Sequence, residues 1–372
     1  MSVEIRPVQN RRELKEFIFL PEKIHRNHPK WMPPIYMDEW RYFDPKRNRS
    51  FTYCDTVRAL AWDAGKPVGR IMGIINRRHN EHSGEKTARF GFFECPEDEA
   101  MAHALLHFVE DWARKAGMNR LVGPMAFTDQ DPEGFLFEGL DEEPTLSTYY
   151  NFGFMNRFME SAGYVKDIDY VVYRMEVGKQ VPPVYERVHQ RIARCAEYQL
   201  LEFTKNRQLK SYVKPILGLM NETFSHLYGY VALDEQEMND LAKQYIPLLD
   251  PRFVKAVECH GEVVAFVIGM PNMNDGIRRA RGRLFPFGFF MIMSSAKHAK
   301  QLDLLLGAIR PDLRGKGLDV LMGRAMFKSA IAAGIQVMDS HHEMETNLAV
   351  RAEMERVGGK VYKKQRVYQK AL

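Results

Sequence analysis

Hydrophobic and polar positions follow the same order twice along the chain. VRALAWDAGKPVGRIMGII (57–75) reads as a strand, a turn at Asp63–Lys66 and a second strand. FVKAVECHGEVVAFVIGM (253–270) repeats this around His260–Glu262. β-Branched runs split by a glycine turn predict hairpins. In each, a second glycine follows the turn glycine eight positions on: Gly73 after Gly65, Gly269 after Gly261. The period then becomes helical in AHALLHFVEDWARKAG, ending at Gly117, and in VLMGRAMFKSAIAAG, ending at Gly334. Glycine just past the last apolar position is a helix stop, because it accepts the left-handed conformation there. Strand-like LVGPMAF and IQVMDSH come next. Each half then has a helix opened by an asparagine, with a glycine twelve residues later: Asn151 to Gly163 and Asn347 to Gly359. The tails DIDYVVYRME and KVYKKQRVYQK read as strands.

Four matches in one order predict a duplication. The expected fold is α/β, a mixed sheet of hairpins and crossovers with helices packed on it, built twice. Pro182-Pro183 in VGKQVPPVY breaks helix and strand, which sets domains at 1–178 and 179–372. The first half carries an acidic insertion, TDQDPEGFLFEGLDEEPTLS, expected to help form the acceptor side of a cleft.

Composition narrows the function. With 372 residues, 45% hydrophobic and 27% charged, the chain is ordinary for a soluble globular protein. A surplus of 53 basic over 48 acidic residues is too thin to imply nucleic acid. Cys54, Cys95, Cys195 and Cys259 have neither zinc nor disulfide spacing, the pattern of reduced thiols. MSVEIRPVQNRRELK lacks a secretory core, and no run approaches ~18 apolar residues. The expectation is a cytoplasmic protein without a transmembrane segment.

AIRPDLRGKGLD (308–319) joins an apolar strand pattern to a helix pattern. A helix N-terminus leaves its first N–H groups unpaired and carries about half a positive charge. Gly315 and Gly317 clear the approach to those amides, while Arg314 and Lys316 add positive charge. The spacing of the Walker loop is absent, and Val320 stands where the dinucleotide fingerprint needs its last glycine.

The stretch resembles the diphosphate loop of the GNAT acyltransferase superfamily, [Q/R]-x-x-G-x-[G/A], with Arg314, Gly315, Lys316, Gly317 and Leu318 in its first five places. The resemblance covers residues from about 252 to 372 and, more weakly, the first half, so the whole chain looks like a tandem GNAT protein with a degenerate N-terminal copy. It implies an N-acyltransferase that moves an acyl group from acetyl-CoA or another acyl-CoA directly to a small-molecule amine. The cofactor-binding residues it implies are Ile309, Arg314 to Asp319 and Asn347. Two places depart from the family. Asp319 replaces the sixth glycine or alanine, and a carboxylate ~5 Å from a diphosphate oxygen costs up to ~3 kcal/mol at an effective dielectric of ~20. Met354, and Phe158 in the first half, stand where the family's thiolate-protonating tyrosine falls. In the first half, Glu97, Asp98 and Glu99 occupy the anion-binding helix start.

Amide formation needs a base and a donor for the thioester oxygen. The donor is expected from the Leu306–Ile309 backbone. In DSHHEMETN, His341, Glu343 and Glu345 alternate at a strand end and are the base candidates; the other reading is a solvated strand end with Asn347 as helix cap. Zinc at His341, His342 and Glu343 lacks a third distant ligand, so no metal is expected. Tyr362 and Tyr368 could replace the missing acid or simply pack. Asn221, Glu222 and His226 lie on a predicted helix, as acceptor-pocket or surface residues.

RRARGRLFPFGFFMIMSSAKHAK (278–300) reads either as core or as an acyl-chain or lipid contact. Lining the cleft, it would suit a longer donor, with acyl carrier protein as a possible donor partner. Pro286 and Gly288 should break any helix there. HPKWMPPIYMDEW reads as a lid or as surface packing. The alternative to an enzyme is a non-catalytic ligand-binding or scaffold protein keeping the fold. The pattern fixes neither acyl chain length nor oligomeric state.

Overall fold

The computed structural model describes residues 3–192, 197–225 and 227–372; Cys195 and His226 lie outside them. The strands of the first half are β1 (Glu4–Pro7), β2 (Cys54–Asp63), β3 (Lys66–Asn76), β4 (Thr87–Glu94), β5 (Arg120–Gly123), β6 (Phe135–Glu138) and β7 (Val165–Glu176). Those of the second are β8 (Tyr198–Glu202), β9 (Val254–Cys259), β10 (Glu262–Pro271), β11 (Gln301–Ile309), β12 (Val337–Asp339), β13 (Glu343–Met344) and β14 (Lys360–Ala371). Both hairpins form at their glycine turns, where Gly65 and Gly261 have φ of 77° and 83°.

The chain divides into two compact units, each assembled from separate stretches. Unit 1 is 1–171 with 274–294 and 362–372; unit 2 is 172–273 with 295–361. The strand order in unit 1 is β1-β2-β3-β4-β5-β14, with β6 beside β14. In unit 2 it is β7-β12-β11-β10-β9-β8. The last strand of each half therefore serves the other half's sheet: Tyr368–Ala371 pairs with Arg120–Gly123, and Arg174–Glu176 with Val337–Asp339.

Each sheet is covered on both faces, as alternation along a strand requires. In unit 2, Val257 and Ala265 join Leu321, Met322, Met326 and Phe327 of the helix Leu318–Ala333. Their neighbours Ala256 and Phe266 turn to Ile216, Leu217 and Met220 of the helix Val213–Phe224. In unit 1, Ala59 and Ile71 meet the helix Glu99–Lys115, and Leu60 and Met72 meet Phe17, Ile18 and Leu20 of the helix Arg11–Ile24.

Asn347 caps the helix Leu348–Arg356 by accepting the Val350 N–H. Asn151 caps nothing. The helix Phe154–Ser161 starts from Gly153, and the Asn151 amide instead bonds both backbone groups of Leu136. Pro286 and Gly288 do not prevent a helix: Gly288–Lys297 is one, starting past the proline, where a missing N–H costs nothing. The core reading of this stretch fails, since Phe285, Phe287 and Phe290 are exposed. In HPKWMPPIYMDEW, Tyr36 is buried and Trp31 stacks on His25, with ring centroids 5.1 Å apart.

Tyr368 is 1% exposed in the unit 1 core and donates to Asn156 Oδ1 at 3.0 Å. Tyr368→Ala should therefore destabilise the protein by about 3–5 kcal/mol, measured by chemical denaturation.

Candidate active site

The site in unit 2 begins with a change of pairing along β11. On one side it pairs antiparallel with β10, but Ile268 faces Leu306 and Gly269 faces Leu304, so Leu305 is left out of register as a bulge. On the other side, β12 runs parallel to it for three pairs only, from Gln301–Val337 to Asp303–Asp339. There β12 ends. The Asp339 carboxylate accepts the His341 N–H at 2.8 Å, and His341 takes φ of 60°, which turns the chain. Ser340 is held to β7 instead: its N–H donates to Tyr173 O, and its Oγ accepts the Tyr173 N–H, each at 2.9 Å. Among the described residues no strand covers the β12 side of β11 from Leu304 to Ile309.

The loop after β11 supplies free amides. A short 3-10 turn, Pro311–Leu313, ties the N–H groups of Arg314 and Lys316 to Pro311 O and Leu313 O. Gly315 and Gly317 have φ of 76° and 85°, conformations that strain any residue with a Cβ. Among the described residues the N–H groups of Gly315, Gly317, Leu318, Asp319 and Val320 make no hydrogen bond to another backbone group. Arg314, Gly315 and Lys316 are exposed. The Arg314 Nε is 3.4 Å from Ile309 O, and Arg310 is anchored to Asp312 at 2.8 Å and to Glu262 at 3.3 Å.

Asp319 turns its carboxylate to Arg356 Nη1 at 4.0 Å. It also lies close enough to Glu353 to matter: burial first, then Asp319, raises the Glu353 carboxyl to about 7, against the pull of Arg356. Burial, with Glu353 adding to it, raises Glu343 to about 8. Three carboxylates thus follow one another from the loop helix to β13. Glu353 and Arg356 carry no motif that sequence reading could have caught.

His341, Glu343 and Glu345 do not share one face of a continuing strand, because the strand stops at Asp339. They follow the turn, and Glu343 alone sits on the two-residue β13. Glu345 lends its carbonyl to Arg351 Nη1 at 2.8 Å. The Asn347 side chain serves the helix cap, and Ile309 pairs with Ala265. Met354 packs against the unit 2 core. Tyr362 and Tyr368 belong to unit 1. Asn221 pins the backbone N–H and O of Leu233, and Glu222 is exposed; its expected pairing with His226 falls outside the described residues.

The corresponding place in unit 1 is filled. A bulge again interrupts β4, with Phe92 at φ of 50°, but its N–H donates to the Tyr149 hydroxyl at 3.0 Å. Past the three parallel pairs of β4 and β5, the Met125 N–H still bonds Phe90 O at 2.8 Å. Asp98 caps the following helix through the Met101 N–H.

Among the described residues one group of possible metal ligands comes together. Glu197 Oε1 is 3.6 Å from both Cys259 Sγ and His260 Nε2, at the β9–β10 turn. No helix among the described residues is long and apolar enough to cross a membrane.

No protein-family model matches the chain. It is 28% identical to a protein of Caulobacter vibrioides named bacterial ceramide synthase, over 100% of this chain and 98% of the other. It is 25% identical to Protein YghO of Escherichia coli K12, over 99% and 95%. Among solved structures, a tandem GNAT protein from the clavulanic acid biosynthesis pathway matches at a TM-score of 0.58 and 14% identity, covering 100% of this chain and 98% of that one. A GCN5-related N-acetyltransferase from Sphaerobacter thermophilus matches at 0.55 and 13%, covering 99% and 95%. The fold is that of tandem GNAT acyltransferases.

The raised carboxyl of Glu343 has a consequence for stability. Between its unfolded value near 4.5 and its folded value near 8, the unfolded chain binds fewer protons, so stability falls as pH rises. Glu343→Gln should raise the melting temperature at pH 8 and leave it nearly unchanged at pH 5, by calorimetry.

Proposed function

We propose that the repeat spanning 179–372 transfers an acyl group from acyl-CoA to an amine without a covalent enzyme intermediate, and that the repeat spanning 1–178 is a degenerate copy. One observation carries this reading: five backbone N–H groups at the start of a helix, free of backbone partners, follow a strand with one uncovered edge. A diphosphate suits those amides and the adjacent positive charge of Arg314 and Lys316. An extended thioester arm suits the bare edge of Leu304–Ile309, where backbone groups await partners as on any open sheet edge.

The roles then follow from chemistry. The Leu305 N–H, out of register at the bulge, would donate to the thioester oxygen, just before the expected 306–309 segment. The amine nitrogen attacks the carbonyl carbon; the C–N bond forms and the C–S bond breaks. Glu343 takes the proton from nitrogen and can return it to the departing thiolate. Its raised value near 8 is close to that of a thiol, about 8.5, so the return to the thiolate is nearly balanced. This return would compensate for methionine at position 354. His341 and Glu345 stand next to Glu343 in sequence and remain secondary candidates.

The name of the Caulobacter relative supports a lipid-like acceptor. A ceramide is the amide of a long-chain amino alcohol, so a long-chain amine is the acceptor class we favour, with a fatty acyl-CoA, or acyl carrier protein, as donor. A cytoplasmic setting fits either donor. The rival, a non-catalytic ligand-binding or scaffold protein, is favoured by one feature: Asp319 sets a carboxylate in the first turn of the helix whose amides would receive the diphosphate.

A thermal-shift series with coenzyme A thioesters separates the two. The enzyme predicts stabilisation that is lost in Arg314→Glu, whereas no stabilisation by any thioester supports the scaffold. With an active pair of substrates, the rate should rise with pH with a midpoint near 8, and Glu343→Gln should lower kcat by about 10²–10⁴ and remove that rise.

A further inference from the structure

Residues 285–291 depart from ordinary surface composition. Phe285 is 81% exposed, Phe287 67%, Phe290 69%, Phe289 46% and Met291 41%. Single apolar side chains on a surface are common; five large ones within seven residues are not. The segment is firmly based within unit 1. Gly282 packs so closely on Pro34 that a Cβ would stand 2.0 Å from the Pro34 oxygen, and its own carbonyl accepts the Tyr36 N–H at 3.0 Å. Arg283 reaches Glu22 at 2.9 Å and lies over the Tyr36 ring. Arg278 reaches Glu143 at 2.7 Å, and Asn274 donates to Pro144 O at 2.6 Å. Ile292, on the same helix as Phe289 and Phe290, is buried. The aromatic tips are thus held out from an anchored base.

Charge indicates what they meet. Residues 278–300 contain four arginines and two lysines and no aspartate or glutamate. Arg279 and Arg281 are exposed on the approach to Phe285. Protruding aromatic rings with a cationic flank match a bilayer surface, where rings settle at the headgroup–acyl boundary and guanidinium groups meet lipid phosphates. A protein partner would need a pocket for each ring and acids around it.

We propose that residues 279–291 form a membrane-docking prong, with Phe285, Phe287, Phe289 and Phe290 inserted into an anionic leaflet and Arg279 and Arg281 on its phosphates. The proposal is independent of whether Gly315 and Gly317 bind a coenzyme.

Co-sedimentation of the full chain with vesicles tests it. The protein should pellet with phosphatidylcholine vesicles containing phosphatidylglycerol, less with phosphatidylcholine alone, and less as salt increases. A Phe285→Ser, Phe287→Ser, Phe290→Ser variant, with unchanged circular dichroism and melting temperature, should bind about tenfold or more weakly. Arg279→Glu with Arg281→Glu should abolish the preference for the anionic vesicles. Wild-type protein that stays in the supernatant with both vesicles overturns the proposal, as does a serine variant that binds equally well. A wild-type dimer that becomes monomeric in the serine variant, without vesicle binding, would assign the prong to a second copy of the chain.

Discussion

Strands β11 and β12 lie side by side for three residue pairs and then separate, and everything proposed for unit 2 depends on that separation. Its cause is local. Asp339 captures the His341 N–H, and the Ser340 backbone and hydroxyl are bound to Tyr173. The chain that could have covered Leu304–Ile309 is thereby led away. The bulge at Leu305 and the two left-handed glycines then act on a strand that already has a bare edge. Without the parting, the same loop would be a basic turn with nothing beside it to hold an acyl arm.

Unit 1 shows how the same scaffold closes. Its parallel pair is also three residues long and its β4 is also bulged, but Tyr149 and Met125 occupy the exposed backbone groups. The interior around them is rich in buried ionisable groups. Burial raises Glu39 to about 7, Asp131 to about 6 and Glu133 to about 8. Glu94 goes the other way: burial would raise it, but His25 and Arg70 together hold it at about 2. Ion pairs such as those of Glu94 with His25 and Arg70 help to fix a unique packing. The acidic insertion thus supplies interior as well as surface, with Glu133 buried, Asp131 half-buried and Glu143 holding Lys30 and Arg278.

Much of this was legible in the sequence because it rests on short-range physics. Turn glycines at 65 and 261, helix stops at 117 and 334 and the R-G-K-G loop all express conformational needs of a few consecutive residues. The exchange of last strands was not legible. β7 and β14 have similar alternating patterns, and a period of two says which face a side chain takes but not which sheet accepts the strand. Glu353 and Asp319 come together across a helix–helix approach that no local spacing encodes. The exposure of Phe285 and Phe287 was equally hidden, since an apolar run looks the same whether it is buried or offered to a lipid.

The central claim is that the amides of Gly315, Gly317, Leu318, Asp319 and Val320 receive a diphosphate. It is tested most directly by a crystal structure of the protein with a bound, non-hydrolysable acyl-CoA analogue. The account predicts diphosphate oxygens within hydrogen-bonding distance of those N–H groups, with the pantetheine arm along Leu304–Ile309. A diphosphate held elsewhere, or those amides turned inward onto the protein's own carbonyls, would contradict it.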